Sequence, residues 1–576
     1  MKRFLRVFFI LCFFSQSFLV WSQDIEKIAK AKPVKVSGGI GTDQVFYKAS
    51  GIDPRRNAPY QYYYNGNLNI TLFGELQLPV SFSYSNQRFN YTQPYNQQQF
   101  NQFGISPKYR WITAHAGWRS MSFSPYSLNG HTFLGGGVEL RPGNFTIAAM
   151  YGRLLKAVEY DSTAVSAGNK PAYRRVAMAL NGKYESNGNQ YGFTFLRSID
   201  DVQSLSVPLD SIAVTPEENL VWSASLRQKL NSKLTVEGEY ANSVITLDSR
   251  YPSDAGQQKT IGLIKENSTT VSYHAYKAKG TYQIGKARIG AGYERIDPGY
   301  RTHGSYYFNS DLESITALFS SPFFKNKVNL SLDAGTQRNN LDKSKISTMK
   351  RLVGNVNVSY QVNKKINLSG NYSNFQTVTN MRTQFNTINS INPYQNLDTL
   401  NYMQVVQSAS LVTNYAISNS EKLQQNFNLN LSAQKSGEEQ GDKKLPTGTV
   451  FYNANTSYVH GFVPQALSFT LAFNGNWNQL STGDNKTYGP TLGVSKGLFK
   501  KLLKMSLMYS WNTTISNNVS TGSIGNLRFN NTLTIKKKHN FTLSFVWLNR
   551  HIITTTSQGV PAFNENTMRF SYNYRF

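Results

Sequence analysis

Two-residue alternation, sustained over long segments, is the feature that most limits what this chain can become. Phe427, Leu429, Leu431 and Ala433 alternate with Asn428, Asn430 and Ser432. Val328, Leu330, Leu332 and Ala334 alternate with Asn329, Ser331 and Asp333. Leu467, Phe469, Leu471 and Phe473 share one parity, as do Phe541, Leu543, Phe545 and Trp547. Successive side chains of a strand point to opposite faces, so each segment has one greasy face and one wet face. Helical spacing is almost absent. Many of the segments run roughly 10–16 residues, longer than common globular strands and long enough to cross a bilayer at a tilt.

Composition narrows the class. Aromatics are 13% of the 576 residues, with 35 Tyr and 35 Phe, yet mean hydropathy is −0.42. No stretch after residue 22 approaches the ~18 uninterrupted apolar residues of a helical span. A barrel whose wall alternates between lipid and a wet lumen has this composition. A secreted, Asn-rich soluble β protein is the competing class.

Tight basic turns punctuate the strands: Arg141–Asn144, Ser186–Asn189, Asn231–Lys233, Gly285–Lys286, Asn363–Lys365, Phe499–Lys501 and Lys537–Asn540. Gly and Asn supply the positive φ of short hairpins. Longer polar connections fall opposite them: Asp161–Pro171, Asp201–Glu218, Asp248–Glu266, Thr379–Thr399 and Lys435–Lys444. Short turns at one end and long loops at the other is the asymmetry of outer-membrane barrels. The pattern predicts an all-β fold, a single large antiparallel transmembrane β-barrel of roughly 24–26 strands.

The first 22 residues read as a signal peptide. Lys2, Arg3 and Arg6 precede the apolar run Val7 to Val20, and Ser22-Gln23 is the expected cleavage point. Cys12 lies inside that run, so neither disulfides nor cysteine-ligated metal are expected in the mature chain. Residues 23–31 are expected as a short periplasmic segment and 32–576 as the barrel. So short a leader leaves no room for an amino-terminal plug domain.

The chain closes on Thr567 to Phe576, T-M-R-F-S-Y-N-Y-R-F, with Phe570, Tyr572, Tyr574 and Phe576 on one parity. This resembles the closing strand of Gram-negative outer-membrane β-barrels. The resemblance implies that these four aromatics form the signal read by the barrel-assembly machinery. Closure requires a first strand to pair with it; Val34 to Ile40 and Tyr60 to Phe73 are the candidates, the earlier making the count even. Trp111 to Arg141 is the most distinctive stretch, reading W-I-T-A-H-A-G-W-R-S-M-S-F-S-P-Y-S-L-N-G-H-T-F-L-G-G-G-V-E-L-R. It is similar to a segment of large, uncharacterised outer-membrane β-barrel proteins of Bacteroidota, which implies a place and a fold but no activity. Phe123, Pro125, Tyr126, His131, Gly135, Gly136 and Gly137 are its candidates for a lumen or partner contact. The glycine triplet would admit close approach of another backbone or ease a bend.

Chemistry is sparse. Seven His are scattered with no H-x-x-x-H pair, and no phosphate-binding loop occurs. No catalytic residue, metal site or cofactor is expected. Asp200-Asp201 and His303, near one predicted rim, are the weak exception. The net charge of +28, from which the targeting segment removes the three cations Lys2, Arg3 and Arg6, draws anionic partners. For an exported barrel these are membrane lipid, lipopolysaccharide or envelope proteins rather than nucleic acid, although Lys also solvates turns and blocks strand edges. The function expected is a structural or accessory subunit of an envelope transport, secretion or assembly complex. A pore or transporter for polar or anionic solutes is the alternative, and an outer-membrane hydrolase a remote one.

The mature chain is accordingly expected to fractionate with the outer membrane and to show heat-modifiable mobility on gels. Recovery of soluble monomer from the periplasm or medium would rule this out.

Overall fold

The computed structural model describes residues 33–576, apart from 53–54, 56, 87–100, 161–170, 207–213, 254–262, 307, 345–347, 349, 375–376, 381–401, 437–438, 441–442, 445–448, 481–482 and 554–561. The targeting segment, residues 23–31 and most of the expected loops at 161–171 and 379–399 therefore lie outside the described residues. The rest is one closed antiparallel barrel of 26 strands. Two staves are interrupted and continue on the same neighbours after a break. One is Gln102–Ile105 with Lys108–Tyr109, the other Ile366–Ser373 with Thr377–Asn380.

Every strand pairs with its sequence neighbour, and the ring shuts where Gly39–Ser50 of the first strand, Val34–Ser50, pairs with Asn564–Arg575 of the last. The earlier of the two candidate partners is thus the one used. Short turns close every hairpin at one end. Asn187 (φ 53°) and Gly188 (φ 78°) make the left-handed pair that a two-residue hairpin needs. The longer connections lie at the other end. The strand Tyr402–Asn419, at 18 residues, is longer than the alternation suggests.

Loop contacts fix which face is the lumen. The Phe123–Leu128 connection turns inward, where Ser124 donates to Glu239 and Tyr126 Oη donates to Glu294 Oε1 at 2.6 Å. Carried from strand to strand through the register, that parity places Asn428, Asn430 and Ser432 inside, and Phe427, Leu429 and Leu431 outside. The outside parity also holds Leu471, Leu492, Leu507, Leu543 and Phe570, all exposed in the isolated chain. A band of this kind needs lipid to cover it.

The seam is welded on its inner face. Arg569 sets two nitrogens 2.9 and 2.6 Å from Asp43 Oδ1, Ser571 donates to the same oxygen, and Tyr47 Oη donates to Glu565 Oε1 at 2.6 Å. On its outer face Phe541 stacks on Tyr572 with centroids 4.6 Å apart, and Tyr574 meets His539 at 4.7 Å and Phe576 at 5.3 Å. The aromatics of the closing strand thus face outward at the short-turn end.

Leu429→Arg near the midplane should cost about 2–4 kcal/mol of stability, against little for Asn428→Arg. Denaturant titration of the refolded variants in lipid measures both. Equal tolerance would mean that this face does not meet hydrocarbon.

Candidate functional site

The lumen is filled unequally. Between the strands Ile112–Ser122 and Glu218–Lys229 the inner wall departs from the polar pattern. Phe145–Leu155 and Arg174–Ser186 carry Ala148, Met150, Leu154, Ala177 and Ala179 inward, in addition to apolar residues outward. Strands apolar on both faces are covered on both faces. Here the inner cover comes from the chain itself. Leu128 and Phe133 are fully buried against Met121, Leu196 and Val221, and Phe123 packs on the cluster's edge. Each large side chain so buried contributes about 1.5–3 kcal/mol.

A second connection, Asp297–Asp311, also folds inward. Tyr300 is buried beside Tyr126, Ala241, Ala275 and Ile296, and donates to Tyr126 O at 2.7 Å. Thr302 Oγ1 donates to Ser127 O at 2.9 Å, and Asn129 N donates to Gly304 O at 2.9 Å. A Cβ on Gly304 would collide with the Ser127 carbonyl, so this crossing demands glycine. His131 stacks on Tyr306, centroids 4.0 Å apart, and Tyr306 Oη accepts from Thr132 N at 3.1 Å. The two loops form one body docked on the wall.

A polar latch holds that body. Ser198 Oγ lies 2.7 Å from His303 Nδ1, and His303 Nε2 lies 2.9 Å from Glu217 Oε2. Arg301 donates to Glu217 Oε1 at 2.6 Å, and Arg175 reaches Glu217 Oε2 at 3.2 Å. Arg175 also grips Asp200 through both carboxylate oxygens, at 2.7 and 2.8 Å. His303 N donates to Asn219 Oδ1 at 3.1 Å. Burial would push the Glu217 carboxyl up. The His303 hydrogen bond and the charge of Arg175 and Arg301 outweigh it and hold the group at about 2. Burial drives His303 below its ordinary value, so at neutral pH its ring is neutral, accepting from Ser198 and donating to Glu217.

Serine, histidine and carboxylate in this order have the geometry of an activated nucleophile. Ser198, however, is fully buried, and its histidine stands on the loop that a substrate would have to displace. As arranged, the trio fastens a loop. Sequence reasoning paired Asp200-Asp201 with His303. Instead Asp200 belongs to Arg175, Asp201 pairs with Arg174, and Glu217 and Ser198, which it missed, take the histidine. Both residues sit in bland sequence, and no motif marks them.

The other predicted residues fall as follows. Tyr126 and His131 are buried in the loop body and Phe123 is half-buried there, while Pro125 is exposed. The glycine triplet is split by parity: Gly135 and Gly137 face the lumen and Gly136 faces outward. A Cβ on Gly135 would strike the Tyr151 carbonyl, so one strand crosses close to the next there. Among the described residues no group of three or more His, Cys, Asp or Glu could hold a metal ion.

No known family model matches the sequence, and neither does any curated relative. Solved structures similar to it include the FrpB iron transporter from Neisseria meningitidis, 10% identical, covering 96% of this chain and 84% of that one with a TM-score of 0.38. An anion-selective porin from Comamonas acidovorans is 11% identical, covering 62% of this chain and 100% of its own, with a TM-score of 0.28. OprD of Pseudomonas aeruginosa is 10% identical over 63% of this chain and 91% of that one, at 0.28. At these values the likeness extends to barrel architecture alone.

Because the Glu217 pKa is depressed in the folded state, its stabilisation is fully present above the ordinary carboxyl value near pH 4.5. It is lost as pH falls from there towards 2. Protection factors of the amides in 123–128 and 297–304, taken against intrinsic exchange at each pH, should therefore fall across that window, and Glu217→Gln should lower them at neutral pH by about 3–5 kcal/mol. Exchange in Leu423–Ser436 should not follow. Unchanged loop protection in the variant would dissolve the latch.

Proposed function

We propose that this protein is an outer-membrane pore that passes polar solutes along the unfilled side of its lumen. The observation behind this reading is the inner wall from Tyr402–Asn419 round through the seam to Tyr60–Leu72. Its inward residues are predominantly Asn, Ser and Thr, and most are only half-buried. Asn474 Nδ2 donates to Thr491 Oγ1 at 3.0 Å, Ser544 Oγ donates to Asn530 Oδ1 at 2.6 Å, and Asn453 pairs with Asn476. Such side chains bond to one another along the wall and still offer donors and acceptors to water. Barrels of fewer strands already enclose aqueous channels. Among the described residues no loop packs on this half as the two loops pack on the other.

The supposed membrane follows from the lipid-type exterior, the closing aromatic strand and the expected signal peptide cleaved near Ser22-Gln23. The resemblance of Trp111–Arg141 points to a Bacteroidota envelope. Membrane lipid and lipopolysaccharide would then surround the band, and the assembly machinery would read Phe570, Tyr572, Tyr574 and Phe576. The accessory-subunit expectation is the weaker of the two, since the wall of the free half is built for solvent rather than for an apolar partner.

Purified protein in planar bilayers should conduct. Asn455→Trp and Asn474→Trp, which narrow the polar half, should lower the conductance, while Leu429→Trp on the outer face should not. Absence of conductance together with a stoichiometric co-purifying envelope protein would favour the accessory reading instead.

A further inference from the structure

The short-turn mouth contains a cleft of about 1020 Å³ at the closing seam, spanning the first, second and last four staves. Lys504, Lys537, Lys538 and Arg575 line it together with Asn65 and Asn573, and none of its lining residues is acidic. We propose that this cleft is a binding site for anionic solutes bearing phosphate or carboxylate groups, and that it selects them at the inner mouth of the pore. The proposal rests on the pore reading for its purpose, but not for its chemistry.

Three observations carry it. The first is the absence of compensation. At the long-loop end Arg175, Arg250, Arg301 and Arg338 each meet a carboxylate, and on the seam Arg569 meets Asp43. Among the described residues no ion pair involves Lys504, Lys537, Lys538 or Arg575. Four cations around one concavity with low-dielectric walls focus a positive potential into it.

The second is position. Lysine at a turn tip solvates the hairpin, but Lys504 and Arg575 are strand residues on the inward parity. The third is backbone conformation. Lys536 and Lys537 adopt φ of 52° and 57°, and Lys500 and Lys501 in the neighbouring turn 56° and 68°. Asn and Gly accept the left-handed region with little strain, as at Asn187-Gly188, and lysine accepts it poorly. Of these lysines Lys537 lines the cleft, so one of its cations stands where backbone preference disfavours lysine.

The chemistry fits multivalent anions. A guanidinium presents parallel N–H donors to a carboxylate or phosphate, while ammonium groups act as mobile point charges. Asn65 and Asn573 bring their Oδ1 atoms together over Gly41, where a Cβ would collide with them, and offer neutral acceptors for hydroxyl groups of such a solute.

The test uses the full chain folded in detergent and, in parallel, in planar bilayers, with inorganic pyrophosphate, citrate and sucrose as probes. Titration calorimetry should show saturable binding of pyrophosphate and citrate but not of sucrose, weakened at least about tenfold in Lys504→Gln/Arg575→Gln. The reversal potential in a salt gradient should be anion-selective and move towards neutrality in the same variant. Since neither residue is ion-paired, the variant should keep heat-modifiable mobility. Binding without conductance would leave the site standing and overturn the pore. Conductance without pyrophosphate or citrate binding, or equal affinity in the double variant, would overturn the site. So would capture of acidic polypeptide at these residues with neither small anion bound.

Discussion

Everything in this molecule depends on the ring being shut. In hydrocarbon an unpaired N–H or C=O costs several kcal/mol, and an open sheet of this size would expose two full rows of them. Antiparallel neighbours solve the problem locally for 25 of the pairings, because each hairpin brings its own partner. The last pairing alone joins residues more than 500 positions apart. It is also the pairing with reinforcement on both faces: Asp43, Arg569, Ser571, Tyr47 and Glu565 inside, a run of aromatic rings outside. A buried pair of this kind is weak evidence for net stability but strong evidence for register, since a one-residue slip would strand Arg569 away from its carboxylate on the wrong face.

Closure at this width creates the second problem, a lumen too wide for wall side chains to fill. The chain answers it on one side by folding two loops inward and giving the wall beneath them apolar residues. The docked loops bury Tyr300, Leu128 and Phe133, and Ser198 and His303, buried with them, are paired. The remaining half keeps the amide-rich wall. Charge is divided too: Arg175, Arg250, Arg301 and Arg338 at the long-loop end meet carboxylates, whereas Lys504, Lys537, Lys538 and Arg575 at the seam cleft meet none among the described residues.

How much of this could be read in the sequence depends on the range of the information. Alternation is local, so the wall, its parity and the turn end were legible, down to Leu429 outside and Asn428 inside. The closing partner was legible because evenness of the strand count selects it. Phe123-Ser124-Pro125-Tyr126 announced a loop through its proline. The inward return of Asp297–Asp311 was not legible, since its contacts join Tyr300 to Tyr126 and His303 to Ser198 across more than a hundred residues. One signal was there to be used. In Phe145–Leu155 and Arg174–Ser186 both parities are apolar, and a strand greasy on its lumen side requires something inside to cover it. The glycine triplet misled in another way: read as a unit, it is divided by the pleat, and the next strand approaches Gly135 most closely, Gly137 less so and Gly136 not at all.

The latch shows why residue types alone decide little. Ser198, His303 and Glu217 have the order and spacing of a hydrolytic site, and what separates fastening from chemistry is access and mobility. A catalytic histidine must exchange protons with a substrate while its scaffold stays fixed. Here the histidine's backbone is itself cargo, bonded to Asn219 and carried by a loop whose docking the trio sustains. Removing the loop to admit a substrate would remove the base. Two guanidiniums on one carboxylate point the same way. They hold Glu217 ionised far below neutral pH and leave the ring neutral, a fixed arrangement that resists changes of protonation around neutrality. Such insensitivity suits a loop body fixed permanently over one half of the lumen.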